Sequence, residues 1–328
     1  MSGKSRSLWN YILIRLLQAI PVFFSVIFLS FMLIHLAPGN PVDILAGDYA
    51  ASPEFRERIM REFGLDKPLM EQLMIYVAKV LTGDLGISMF FRRPVVEVIL
   101  QSAPATIVLV GASILWGACL GVILGVIASK QPFSIVDSLI SGLSVFFFST
   151  PVFWLGQIVL VVFAINLDLL PAQGMYSPKE TLHGLASAID LARHLVLPSF
   201  ALGCNYLALV TRLTRASMLE VLNQDYIVTA RAKGLRRKTI FYKHALRNAL
   251  LPVVTVTGLS IAFVFAGAVL TETVFGWPGL GRLMFNSIGA RDYPLLMGLF
   301  IFISIAVVVT NLATDIIYCY VDPRIKYR

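Results

Sequence analysis

The stretch DYIVTARAKGLRRK, Asp225 to Lys238, is the densest chemistry in the chain: an acidic start, small and β-branched residues, then Arg231, Lys233, Arg236, Arg237 and Lys238 around Gly234. A cationic surface of this kind suits a groove on a soluble partner or an anionic lipid surface, where each cation contributes about 1 kcal/mol. Catalytic patterns are missing elsewhere. There is no G-x-x-x-x-G-K-[ST] loop to cradle ATP phosphates, no His-Glu-x-x-His pair, no nucleophile elbow and no metal-ligand spacing. His35, His183, His194 and His244 are scattered. Ser141, Ser144, Thr150, Gln157, Asn205 and Tyr206 are polar groups in apolar surroundings, fit either to line a solute path or to hydrogen-bond between helices. In FGWPGLGRL, Trp277, Pro278, Gly279 and Gly281 combine an interfacial aromatic with turn formers, which reads as an outer re-entrant loop at a gate or as turn packing. Glu272 and Asp315 read as end-of-span or packing charges rather than proton relays.

The elements that position these residues follow from composition. Of 328 residues, 57% are hydrophobic and 14% charged, against about 25% charged in a globular protein. The chain is an integral membrane protein. A net charge of +8 raises nucleic acid as a partner, but topology explains the basic residues more simply, and no nucleic acid is expected. Cys119, Cys204 and Cys319 lie in apolar runs, as small core residues rather than a disulfide framework. Crossing a core of roughly 30 Å takes about 20 apolar residues. Six stretches qualify, near 10–36, 104–128, 137–165, 195–218, 250–272 and 295–320. The first is too long for a signal-peptide core and is expected to remain as an anchor. Pro151 and Gly156 predict a kink in the third. Gly111, Gly117, Gly121 and Gly125 in the second would let another helix approach closely.

Counting Lys and Arg orients the chain. With the N-terminus inside, the inner segments carry sixteen, and the outer short segments four once the long first loop, exempt from the rule, is set aside. Both termini are therefore expected in the cytoplasm, with Lys130 and Lys238 inside and Glu57 and Lys179 outside. In the long outer loop, SPEFRERIMREFG has Ser52 as N-cap, Pro53 at the first helical position, Phe55, Ile59 and Phe63 on one face, and Gly64 as stop. A second amphipathic helix is expected from about Pro68 to Thr82, ending at Gly83. Together they form a docking surface or a lid on their own spans. The inner segment between spans four and five is predicted to be a short helix, a turn at Gly234 and a second helical piece through KTIFYKHALRNALL, with Ala230 and Ala232 small enough for close packing.

NQDYIVTARAKGL followed by HALRNALLP resembles the cytoplasmic EAA loop of dipeptide and oligopeptide ABC importer permeases. The resemblance runs over nearly the whole chain, through APGNP, FGLDKPL, GDLGIS, STPVFWLG, LPAQG, RLTRASMLEVL, ETVFGWPGLGRL and DPRIKYR. Val228, Thr229 and Ala230 stand where the broader importer pattern has Glu-Ala-Ala. The family likeness implies an all-α integral membrane protein of six transmembrane helices, with a large extracytoplasmic loop after the first and a cytoplasmic coupling helix between the fourth and fifth. It divides the chain into 1–36, an outer loop 37–103 and a core 104–328, with the coupling loop at about 219–249.

The same resemblance makes Asp225, Tyr226, Thr229, Ala230, Arg231, Ala232, Lys233, Gly234 and Leu235 the segment that sits in a cleft of an ATPase subunit. It implies a second homologous permease, two ABC ATPase subunits that bind ATP and Mg, and an extracytoplasmic substrate-binding protein, in a bacterial inner membrane. The chain itself would be no enzyme and bind no cofactor. Short peptides are the expected cargo, with glutathione, nickel chelates, opines and sugars carried by relatives. An ion-coupled carrier or channel subunit is the alternative from another class; it would place acids or histidines at midplane and show helical repeats.

Overall fold

The computed structural model describes residues 8–36, 42, 53–177 and 183–321. Secondary structure among them is helical, apart from one isolated bridge between Ile87 and Pro94. The chain divides into two compact units. One comprises Met1–Thr106, Pro278–Leu312 and Lys326–Arg328; the other comprises Ile107–Trp277 and Ala313–Ile325. APGNP, DPRIKYR, Ser52 and Lys179 lie outside the described residues, as do the side chains of Phe55, Ile59, Phe63, Asp315 and Cys319.

The first unit holds α1 (Leu8–Leu36), α2 (Pro53–Phe63) and α3 (Leu69–Leu81). α2 and α3 end where glycine is expected to stop them, Gly64 at φ 62° and Gly83 at φ 81°. After Gly64, the Leu65 N–H donates back to the Met60 carbonyl at 2.9 Å, the bond that closes a helix on a left-handed residue. Ile27 and Phe31 of α1 share a buried cluster with Tyr76 and Val80 of α3 and with Met297 and Ile301. Burial also raises the pKa of the Tyr76 phenol, because charging it there would cost hydration. Packing against its own span is thus what α3 does. His35 Nε2 lies 2.8 Å from Gln72 Oε1 and reinforces that contact.

The remaining helices of this unit are α4 (Val95–Lys130), whose first turns lie here, the short α11 (Leu280–Gly289) and most of α12 (Tyr293–Val321). Val95 and Ile99 pack with Leu280, Leu283, Leu295 and Leu299. Gly298 permits this approach, since a Cβ there would collide with Val95. Asp292, 1% exposed, caps α12 by accepting from the Leu295 N–H at 3.2 Å. It also accepts from Ser88 Oγ at 2.5 Å and the Phe90 N–H at 3.1 Å. One buried carboxylate therefore starts α12 and anchors the Ser88–Phe90 segment that precedes α4.

The second unit contains the rest of α4, then α5 (Ile135–Ser149) and α6 (Val152–Val159), which continues through wide π-type turns to Asn166. α7 (Leu185–Leu222), α8 (Asp225–Ala232), the one-turn α9 (Arg237–Thr239) and α10 (Leu246–Val274) follow. The glycine ladder is a contact surface between α4 and α7. Added Cβ atoms would lie 3.0 Å from the Gly203 carbonyl at Gly117, 2.8 Å from Val210 Cβ at Gly121 and 2.6 Å from Thr214 Cβ at Gly125. Gly111 meets nothing within 4 Å and is no part of it.

The kink expected in the third span is a break of 103° between Ile135–Ser149 and Val152–Asn166. Pro151 cannot donate a backbone hydrogen bond and disfavours helical geometry at the residue before it. Thr150 is accordingly extended, at φ −82° and ψ 125°, with its Oγ1 donating to the Phe146 carbonyl at 2.7 Å. Four described helices, Leu13–Leu33, Val95–Lys130, Leu185–Leu222 and Tyr293–Thr314, are long and apolar enough to cross a membrane, and the broken pair makes up to five. The chain is a multi-pass membrane protein.

Candidate functional site

The Asp225–Leu235 segment is positioned by the end of α7. After Leu222 the chain turns through Asn223, and the extended Gln224 (φ −78°, ψ 151°) sets the start of α8. A helix of eight residues has little stability of its own in water. Its inner face supplies what propensity does not: Ile227 and Ala230 join Met218 and Val221 of α7, Ile240, and Ala245 and Ala249 at the start of α10 in one buried cluster. Asn248 Nδ2 donates to the Tyr226 hydroxyl at 2.7 Å and pins α8 to α10.

Gly234 ends α8 at φ 76°. Its N–H donates to the Arg231 carbonyl at 2.9 Å, and the Leu235 N–H donates to the Ala230 carbonyl at 3.3 Å. These two bonds satisfy the last carbonyls of the helix and require a left-handed residue between them. A Cβ at Gly234 would meet nothing within 4 Å, so backbone conformation alone demands glycine there.

Asp225, Tyr226, Thr229, Arg231, Ala232, Lys233, Gly234 and Leu235 are all exposed and form one outward face. Ala230 is not among them. It is 8% exposed, and its small side chain serves the chain's own packing rather than a partner's fit, a correction to the expectation from sequence. Beside this face lies a cleft of about 560 Å³, lined by Lys130, Asn223, Arg231, Arg237, Ile240 and Phe241 among others. Lys130 Nζ also sits 5.5 Å from the centre of the Tyr242 ring. Two cations of the basic segment, Arg231 and Arg237, thus line a concave surface together with Lys130.

FGWPGLGRL forms a turn followed by α11. Gly276 has φ 58° and the Trp277 N–H donates to the Glu272 carbonyl at 2.8 Å. Trp277 and Glu272 are fully buried, Gly279 and Gly281 are buried, and Pro278 is exposed. Trp277 is therefore a packing anchor where it stands. The Gly174 N–H donates to the Phe275 carbonyl at 2.9 Å, tying LPAQG to the end of α10.

Of the polar residues in the spans, Ser144 and Thr150 donate to carbonyls one turn back, at 2.8 and 2.7 Å, and Ser141 donates to Asp137 at 3.2 Å. Asn205 donates to the Phe148 carbonyl at 3.1 Å, and Tyr206 is 3% exposed. Gln157 is exposed on α6. Local and interhelical hydrogen bonding therefore occupies most of this set. Among the described residues no cluster of three or more His, Cys, Asp or Glu could hold a metal.

Sequence reading passed over the bidentate pair of Asp137 on α5 and Arg215 on α7, at 2.5 and 2.7 Å. The available signal was a charge of each sign near the ends of apolar helices, Asp137 in the first turn of α5 and Arg215 about two turns before the end of α7.

Two family descriptions match the chain: "Binding-protein-dependent transport system inner membrane component" over residues 121–327, and its N-terminal counterpart over residues 8–110. The dipeptide transport system permease protein DppB of Escherichia coli (strain K12) is 40% identical, with 97% of this chain and 99% of that protein covered. The oligopeptide transport system permease protein AppB of Bacillus subtilis (strain 168) is 39% identical over the same shares. A solved structure of the MetNI methionine ABC transporter in an inward-facing conformation superposes with a TM-score of 0.55, covering 69% of this chain and 97% of that one. At 17% identity this last likeness is one of fold.

Proposed function

Since the chain belongs to the binding-protein-dependent transport system inner membrane components, we propose that it is the permease subunit of an ATP-driven peptide importer and forms half of the translocation path with a homologous second permease. The observation that carries the coupling part of this reading is the exposed face of α8, held on a buried cluster and closed by left-handed Gly234. Two ABC ATPase subunits, binding ATP and Mg, grip that face, and a substrate-binding protein delivers cargo on the other side of the membrane. Six spans accommodate this arrangement: α1, α4, the broken α5–α6 pair, α7, α10 and α12. α10 has 29 residues, more than the roughly 20 that a crossing needs. The Lys and Arg distribution supports a cytoplasmic location for α8 and both termini, in a bacterial cell. Gln157 faces the path, and the turn from Trp277 to Gly281 works at the outer gate, its buried tryptophan serving as the fixed point.

Short peptides are the cargo, on the strength of the names of the relatives. The test is uptake of a labelled dipeptide into vesicles holding the complete complex, with the binding protein outside and ATP inside. Uptake is expected to require both. Uptake driven by an ion gradient without ATP would overturn the reading in favour of a carrier.

A further inference from the structure

We propose that the Asp137–Arg215 pair is a positioning link in energy coupling: it ties α5 to the end of α7 that carries α8, so that movement of α8 reaches the broken α5–α6 pair. The inference rests on the reading of α8 as the segment gripped by the ATPase. Asp137 is 3% exposed, and its carboxylate is fully engaged. Oδ1 accepts from Arg215 Nε at 2.5 Å and Ser141 Oγ at 3.2 Å; Oδ2 accepts from Arg215 Nη2 at 2.7 Å and from the Phe133 N–H at 2.8 Å. The Asp137 N–H in turn donates to Ser134 Oγ at 3.2 Å. One carboxylate thereby fixes the turn between α4 and α5, the first turn of α5, and α7.

Dehydrating the Asp137 carboxylate costs free energy that its attraction to the quarter-exposed Arg215 guanidinium offsets, so stability alone is a weak reason for the pair. What the pair adds is direction. A bidentate guanidinium–carboxylate contact fixes relative orientation as well as distance, and the outer face of α5, with Ile135, Leu139, Leu143 and Phe146 exposed, has no such handle. At its other end α5 is tied to α7 again: Asn205 donates to the Phe148 carbonyl at 3.1 Å, and the Arg212 guanidinium lies 5.4 Å from the Phe148 ring centre. α5, 15 residues long and so roughly 22 Å, is clamped along its length and ends at the 103° break. Arg215 lies two to three turns before Asp225, where α8 begins. Displacement of α8 has a short, stiff route into α5 and from there to the break at Thr150 and Pro151.

The experiment measures peptide uptake per ATP hydrolysed in the reconstituted complex, normalised to assembled complex, for Asp137→Asn, Arg215→Lys and the exchanged pair Asp137→Arg with Arg215→Asp. Ala232→Glu runs alongside. Each single variant is expected to lower uptake per ATP by about five- to tenfold, the lower range for coupling between sites, and the exchanged pair to recover most of it. A merely structural pair would lower uptake and hydrolysis together, leaving the ratio at the wild-type value in the variants that assemble; that result overturns the link. Should Ala232→Glu leave stimulated hydrolysis intact, the reading of α8 falls instead.

Discussion

Ala232→Glu together with Gly234→Val is expected to cut binding-protein-stimulated ATP hydrolysis by about tenfold or more, the equivalent of about 1.4 kcal/mol or more lost from the productive contact, while membrane insertion stays normal. The two substitutions act by different routes. Val at position 234 would have to hold a φ of 76°, a strain on the order of 1–3 kcal/mol for a β-branched residue. Relief of that strain unwinds the end of α8 and breaks the two bonds from Gly234 and Leu235 to the Arg231 and Ala230 carbonyls. Glu at position 232 leaves the chain's own fold alone, since Ala232 is exposed, and acts only by burying an unpaired charge against whatever covers it. Lys238→Gln is the control: a lipid surface responds to summed charge and loses about 1 kcal/mol with it, whereas stimulated hydrolysis is expected to change less than about twofold. Stimulated hydrolysis at the wild-type level in the double variant, read against total ATPase present, would leave the basic cluster as a lipid anchor.

Single-cysteine labelling with an impermeant reagent in intact cells should give an all-or-none contrast. A cysteine at position 57, on the exposed side of α2, is expected to label fully; one at position 238 only after permeabilisation. The Lys and Arg imbalance sets this direction, and both positions are exposed, so solvent access within the protein does not confuse the result. Labelling at 238 in sealed cells would invert the orientation and place α8 where no ATPase could reach it.

The features that could be read from sequence are those set by local residue order. Gly64, Gly83 and Gly234 are each left-handed helix stops, because glycine's conformational freedom is a property of one residue. The ladder at Gly117, Gly121 and Gly125 was legible because a four-residue repeat necessarily presents one face, although its partner, α7, was not. Pro151 announced a disturbance, but its size depended on what lay beyond it, and a kink proved to be a 103° break. Ala230 shows the limit of reading small residues as partner-facing: an eight-residue helix has two faces, and only the position of Met218 and Ile240 says which one is inside. Asp137 and Arg215 are 78 residues apart, and Ser88 and Asp292 are 204 apart; no periodicity carries such pairings.

The most direct test of the central claim, that the exposed face of α8 is gripped by an ATPase subunit, is a photo-activated cross-linker placed at position 232 in the assembled complex in native membranes. The account predicts an adduct between the permease and the ATPase, lost when the cross-linker is moved to the buried position 227. Adducts with lipid alone from position 232, with the ATPase present and the complex intact, would contradict it.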